Sequence, residues 1–362
     1  MHDRAPPFLQ EIAANTMTLD THDADPSEEI RLLEREGWLT ACLPENHGGN
    51  GWGSEPSGTG PALTALRRLG RANLSLARLF EGHMNAVKLL WLYADADLQK
   101  SSFGAVREGS LLGVWGADLP TTPLTFECAE DHLRLGGVKQ FASGLQSVDH
   151  AIVTASTDAG LQLLLAPTAE DDRSDPTHWR MAGMRASRSG HYDFSDLEIP
   201  RANLVGEPGD YLREPHFEGG IWRYCAAHLG GAEALFDAMR DMLVEKERAD
   251  DPHQQRRIVE CACAVETARL WLIRAASKVE APGASPNAAT HSLLAREITE
   301  QCCRLVIDRT RQALGMAAHV EGSKVEMFCR DLSLFLCQAA PDAKRARAAE
   351  ALVGSGARVE DL

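Results

Sequence analysis

The chain has 362 residues, 44% hydrophobic and 25% charged, with 37 Lys and Arg against 52 Asp and Glu, a formal net charge of −15. That length can bury a large core and more than one substructure. The acidic balance argues against a nucleic-acid surface, which needs a basic footprint. It shows no run near the ~20 apolar residues of a membrane span and no apolar core of signal-peptide length in Met1 to Thr21.

Residues 1–25 are polar and read as a flexible N-terminus. Asp25-Pro26-Ser27-Glu28-Glu29 reads as a helix start with acids in its first turn. Ile30 and Leu33 continue the helix and Gly37 ends it. The cluster Gly48-Gly49-Asn50-Gly51-Trp52-Gly53 follows no strand and fits neither phosphate-binding fingerprint. It reads as a turn that brings backbone close to another element. From Pro61, the residues Leu63, Leu66, Leu69, Leu76, Leu79, Phe80, Val87 and Leu90 recur at three and four, so residues 26–110 form an N-terminal helical domain. His83 lies inside that apolar pattern, where a histidine is most often a hydrogen-bonded core residue.

Residues 111–210 carry short apolar or alternating runs, among them Leu133, Leu135, Val138, Ala151, Ile152, Val153 and Leu163 to Leu165. Gly136-Gly137, Gly144, Asp149 and Asp158 to Gly160 punctuate them, which is strand-and-turn grammar. Residues 211–362 return to helix. Amphipathic segments at 217–248, 254–280 and 289–318 are broken at Asp250-Asp251-Pro252 and Ala281-Pro282-Gly283. Long helices joined by short loops predict an antiparallel bundle. The fold class is therefore α+β: an N-terminal helical domain, a central antiparallel β domain and a C-terminal four-helix-bundle-like domain. A cleft where such parts meet is a preferred ligand site. Cys261, Cys263, Cys302 and Cys303 lie in helical runs without chelate spacing, which predicts buried free thiols in a reducing cytoplasm and no metal site.

This order of parts resembles the acyl-CoA dehydrogenase family, and four stretches carry the resemblance. Gly37-Trp38-Leu39 through Leu43-Pro44-Glu45-Asn46-His47-Gly48-Gly49 is similar to an early family segment. Gly137-Val138-Lys139-Gln140-Phe141-Ala142-Ser143-Gly144 is similar to its Gly-x-Lys-x-aromatic-x-Ser/Thr strand. Gly183-Met184-Arg185 and Phe194 to Pro200 resemble the end of its β domain. Gln312-Ala313-Leu314-Gly315 followed by Arg330-Asp331 resembles its C-terminal motifs. The resemblance implies an FAD site, with Phe141 and Ser143 against the flavin ring and Trp115 near the segment that crosses its other side. It also implies that Gln312 and Gly315 reach the FAD of a neighbouring subunit, hence a homodimer or homotetramer.

The implied reaction is oxidation of the Cα–Cβ bond of an acyl thioester, on CoA or a carrier protein, with hydride transfer to flavin N5. That chemistry needs a carboxylate base at the α-carbon. Here Ala339 falls at the family's usual carboxylate position, and Ala340-Pro341 replace the Gly-Thr beside the cofactor. Some family members carry the base at the start of the C-terminal bundle, where Gly220 falls nearest and Glu218 is the candidate catalytic residue. Two alternatives follow from Ala339. One is a flavin-dependent monooxygenase of the same fold acting on another small molecule. The other is a catalytically degenerate family member that serves as a binding protein.

Overall fold

Asn73 divides the first two long helices. Its extended backbone interrupts the helical run, and its Oδ1 accepts from the N–H of Leu76 at 2.9 Å, capping the next helix. Its Nδ2 donates to Thr16 Oγ1 at 2.9 Å and ties the chain start to this corner. The computed structural model describes residues 6–356, 358 and 360. The N-terminal part holds α1 (Pro7–Asn15), α2 (Ser27–Arg35), α3 (Trp38–Ala41), α4 (Thr59–Ala72), α5 (Leu74–Tyr93) and α6 (Ala96–Arg107). Residues 7–15 differ from the flexible start read in the sequence: Phe8, Leu9 and Ile12 are buried. Polar neighbours hid a short apolar face. Asp20 further on is paired with Arg330 at 2.6 Å and with Arg185.

Gly37, with φ +72°, follows α2 as expected. The glycine cluster is a close-packed turn, since a Cβ on Gly49 would lie 2.0 Å from the Leu43 carbonyl oxygen. His83 is fully buried: Leu112 N–H donates to its Nδ1 at 3.0 Å, so Nε2 is the donor to Leu39 O at 3.0 Å.

The middle of the chain contains β1 (Leu112–Trp115), β2 (Thr125–Cys128), β3 (His132–Gly136), β4 (Val138–Ala142), β5 (His150–Thr157), β6 (Gly160–Pro167), β7 (Ser174–Asp175), β8 (Gly190–Asp193), β9 (Glu198–Pro200) and β10 (Leu204–Val205). They form sheets of order β1-β5-β6-β10, β2-β3-β9 and β4-β8-β7. All pairings are antiparallel except β1 with β5. The chain leaves β1 and returns only after β2 to β4, a crossover long enough to allow parallel pairing. Lys139 of β4 is completely buried. Its Nζ donates to Asp118 and to Thr154 O, both at 2.6 Å, which cross-links β4 to the segment after β1 and to β5.

The last part is α7 (Trp222–Glu245), α8 (Pro252–Val279), α9 (Ala289–Leu314), α10 (Lys324–Phe335) and α11 (Pro341–Ser355). Asp251 caps α8 and Ser323 caps α10. α4 and α7 pack backbone to backbone: a Cβ on Gly230 would sit 2.1 Å from Arg67 O, and one on Gly70 2.3 Å from Ala227 O. The Arg330-Asp331 pair staples the parts together, since Asp331 accepts the Met184 N–H at 2.8 Å while Arg330 holds Asp20. The nine cysteines are free, with Cys261, Cys302 and Cys303 buried but Cys263 exposed, because it falls on the outer face of α8. Among the described residues no helix is long and apolar enough to cross a membrane, and no cluster of ligating side chains could hold a metal.

Candidate active site

α5 is an apolar helix with one polar face. Arg78, Glu81, Asn85 and Lys88 are spaced by three and four, so they line up on one side. That side is not solvent. It forms a wall of a cavity of about 260 Å³, closed by Val114 and Gly116 at β1, Tyr211 to Phe217, the first turns of α7, and the turn between α10 and α11. Glu81 is only 2% exposed; it accepts from Arg78 at 2.6 Å and also from Asn85. These residues escaped the sequence reading, although a polar stripe at helical spacing in an apolar run was the available signal.

Deeper in the cavity lies a buried charge cluster. Glu280, the C-cap of α8, accepts from Lys88 Nζ at 3.0 Å, Arg223 Nη2 at 2.7 Å and the Trp222 indole N–H at 3.1 Å. A carboxylate at a helix C-terminus is disfavoured by the dipole. Burial also opposes its charge, but Arg223 and Lys88 outweigh burial and hold its pKa below the usual value. Burial likewise pulls the Lys88 ammonium down, against the pull of Glu280. His216 stands where this cavity meets a second one of about 260 Å³ bordered by Ser54, Trp91 and Glu280. Burial, then Lys88, pushes the His216 pKa down to about 4. Its Nδ1 and the Nε of Arg223 are buried and lack a hydrogen-bond partner among the described residues. Tyr224 Oη, also on the cavity wall, is in the same state.

Ala339 and Gly220 both line the cavity. Glu218 does not. Its carboxylate is almost fully buried and is held by Lys344 at 2.5 Å and by Arg347, both on α11. Neither cation is near Glu218 in sequence, so its engagement there was not legible.

The other side of the cavity meets the β layers. Phe141 occupies the left-handed region, φ +54°, within the irregular stretch between Lys139 and Ala142 where β4 loses register with β8. An aromatic residue at positive φ is strained. The result is a ring 51% exposed, edge-on to Trp179 with centroids 6.5 Å apart. Ser143 Oγ accepts from Ser189 Oγ at 3.1 Å. Trp115 is buried among Tyr192 and Phe194, and its indole N–H donates to Ser143 O at 3.0 Å. It fixes the Ser143 backbone from within the β core rather than laying its own ring open. An exposed, strained aromatic beside a small hydroxyl fits a planar heteroaromatic ring such as a flavin.

Gln312 and Gly315 lie apart from this cavity, at the far end of α9. Gln312 is exposed, with Nε2 donating to Asp308 at 2.8 Å. Gly315 ends the helix with φ +60°, and a Cβ there would meet nothing within 4 Å. Arg248 nearby donates to Ala313 O at 3.4 Å.

Residues 216–336 match the sequence profile described as acyl-CoA dehydrogenase, C-terminal domain. Over 280 residues the chain is 26% identical to a glutaryl-CoA dehydrogenase of Desulfococcus multivorans, covering 71% of each. These matches support membership of the acyl-CoA dehydrogenase family. It is also 24% identical, over 307 residues, to a probable FMNH2-dependent monooxygenase of Pseudomonas putida, with 77% of this chain and 74% of the relative covered. Its fold superposes on an FMN-bound dibenzothiophene monooxygenase of Paenibacillus sp. A11-2 with a TM-score of 0.83, 19% identity and 96% of both chains covered. The three-part architecture expected from the sequence is thus the acyl-CoA dehydrogenase-like fold.

Proposed function

We propose that this chain is a flavin-dependent monooxygenase acting on a small molecule held between α5, α7 and the α10–α11 turn. The observation that carries the reading is Ala339. It lines the cavity where a dehydrogenase of this family would present its carboxylate, and Glu218 is committed to Lys344 and Arg347 instead. Reduced flavin with dioxygen supplies an oxygen atom for transfer, a chemistry that needs no base at an α-carbon. Phe141 and Ser143 would hold the ring, and Trp115 would keep Ser143 in place. Tyr224 and His216, whose buried polar atoms have no partner among the described residues, would orient the substrate and exclude water. Neutral His216 can accept or donate one proton at its ring nitrogens without carrying charge. The monooxygenase relatives support this reading.

A second reading, acyl thioester oxidation, is favoured by Glu81, a buried carboxylate on the cavity wall. The two separate cleanly. Mixed with reduced FMN and air, the protein is expected to slow flavin reoxidation relative to free flavin. Anaerobic bleaching of bound flavin by an acyl-CoA would instead establish the dehydrogenase. A protein that binds neither FMN nor FAD would be the degenerate binding protein.

We propose further that FMN needs only the Phe141–Ser143 platform, whereas FAD would also use Gln312 and Gly315 of a second subunit. A homo-oligomer is supported by the outer face of α8, where Val259, Leu270 and Ile273 are exposed at helical spacing. Gln312→Ala should weaken FAD but not FMN; equal loss for both would remove the role assigned to Gln312.

A further inference from the structure

The cavity is cationic in an acidic protein. Arg78, Lys88, Arg223 and Lys344 line it against one carboxylate, Glu81, although the whole chain carries −15. The pairing does not balance. Arg78 is matched by Glu81, but Lys88 and Arg223 share the single carboxylate of Glu280, and Lys344 shares Glu218 with Arg347. The next acid, Glu214, binds the backbone N–H groups of Glu218 and Gly219. Glu214 faces Lys344 and Arg347 together with Glu218, so the excess of one positive charge sits on Lys88 and Arg223, a costly arrangement without a counter-ion.

The geometry leaves room for that counter-ion. Among the described residues Arg223 Nε and His216 Nδ1 are buried without partners, Nε on the side of Gly53, where a Cβ would lie 3.2 Å from it. Gly220 on the same wall has no side chain, and a Cβ there would come within 3.1 Å of Arg223 Nη1. A glycine at this point keeps the guanidinium uncovered on the cavity side.

We propose that the substrate is a small organic anion whose carboxylate, sulfonate or phosphonate group seats on Arg223, Lys88 and His216. It rests on the reading of this cavity as the substrate's seat. Arg223 supplies a fixed fork suited to an oxyanion, and Lys88 a point charge beside it. His216, neutral, donates or accepts according to its tautomer. The apolar remainder of the substrate extends past Leu89 and Val114 toward the flavin platform.

The test is titration calorimetry on full-length protein saturated with FMN, at low salt, with four six-carbon probes: hexanesulfonate, hexanoate, hexanol and hexylamine. The two anions should bind about tenfold or more tighter than hexanol, equivalent to ~1.4 kcal/mol, and hexylamine should not bind. Arg223→Gln, which leaves Glu280 paired to Lys88, should bring the anions down to the affinity of hexanol. If that variant does not fold, the ranking of the four probes on the natural protein decides. Hexanol or hexylamine binding as tightly as the anions would overturn the proposal. So would hexanesulfonate binding to flavin-free protein that is abolished by saturation with FMN, which would make the cluster a seat for the cofactor phosphate. The flavin spectrum of the same samples keeps the two readings apart. Flavin bound without anion selectivity rejects only this proposal; selective anion binding with no flavin bound supports it and rejects the oxygenase.

Discussion

Lys88 Nζ stands 3.0 Å from the carboxylate of Glu280, joining the last turns of α5 to the end of α8 across 192 positions of sequence. Arg223 and Trp222 reach the same carboxylate, so the first turn of α7 is fixed to both helices at once. Removing the acid leaves two buried cations facing each other. Glu280→Gln is expected to destabilise the fold by about 3–5 kcal/mol, the usual cost of breaking a buried pair. Urea unfolding followed by far-UV circular dichroism measures it. A loss below about 1 kcal/mol, the level of an exposed pair, would mean the cluster is solvated.

Phe141 separates stability from function. Its left-handed backbone costs about 1 kcal/mol that a glycine would not incur, and its ring is half exposed. Phe141→Gly should therefore leave thermal stability unchanged or raised while flavin affinity falls about tenfold, ~1.4 kcal/mol. Fluorescence quenching of FMN on binding reads the second effect. Unchanged flavin affinity would dismiss the platform.

Ala339 is the position that splits the two chemistries. Ala339→Glu adds a carboxylate to the cavity wall beside Lys344. Substrate oxygenation per dioxygen consumed should drop about tenfold or more, because the added acid occupies the substrate volume and competes for the cations. A rise in that ratio would argue that a base is required after all.

Stability should fall on acidification below the ordinary histidine range. Burial pushes His83 down to about 4 and His228 down to about 3. Both groups therefore bind protons more readily when unfolded. Their contribution is complete above about pH 6.5 and is lost as pH falls toward 4 and 3, at about 1.4 kcal/mol per pH unit for each. Asp331 acts oppositely: burial raises it to about 6, so it adds stability as pH falls from 6 toward 3.8. His216, also pushed down to about 4, adds to the two histidines, so the expected net is a decline of about two protons' worth over that window, read from urea midpoints between pH 7 and pH 4. A flat profile would mean that His83 and His228 are hydrated.

Gly230 tests the seam between α4 and α7. Gly230→Ala puts a methyl group against Arg67 O, so the helices must separate, with an expected cost of about 1–3 kcal/mol. Gly60→Ala, where a Cβ would meet nothing within 4 Å, should be neutral or mildly stabilising. Equal effects at both positions would dismiss the close approach.

Periodicity and breakers determine most of the architecture. The apolar repeat through α4 and α5, the Gly-punctuated strands, and the breaks at Pro252 and Pro282 mark the three parts because local backbone preference and one-sided burial act over a few residues. The motif spacing likewise put Ala339 and Gly220 where both now line one cavity. The short helix at Pro7–Asn15 was missed, since its stability comes from packing against α4 and not from its own nine residues. What only the folded chain decided is which charges face which. Glu218 meets Lys344, and Lys88 meets Glu280, through contacts more than a hundred residues apart. An acid's role depends on its neighbours and its exposure to water, and neither quantity is written in its place along the chain.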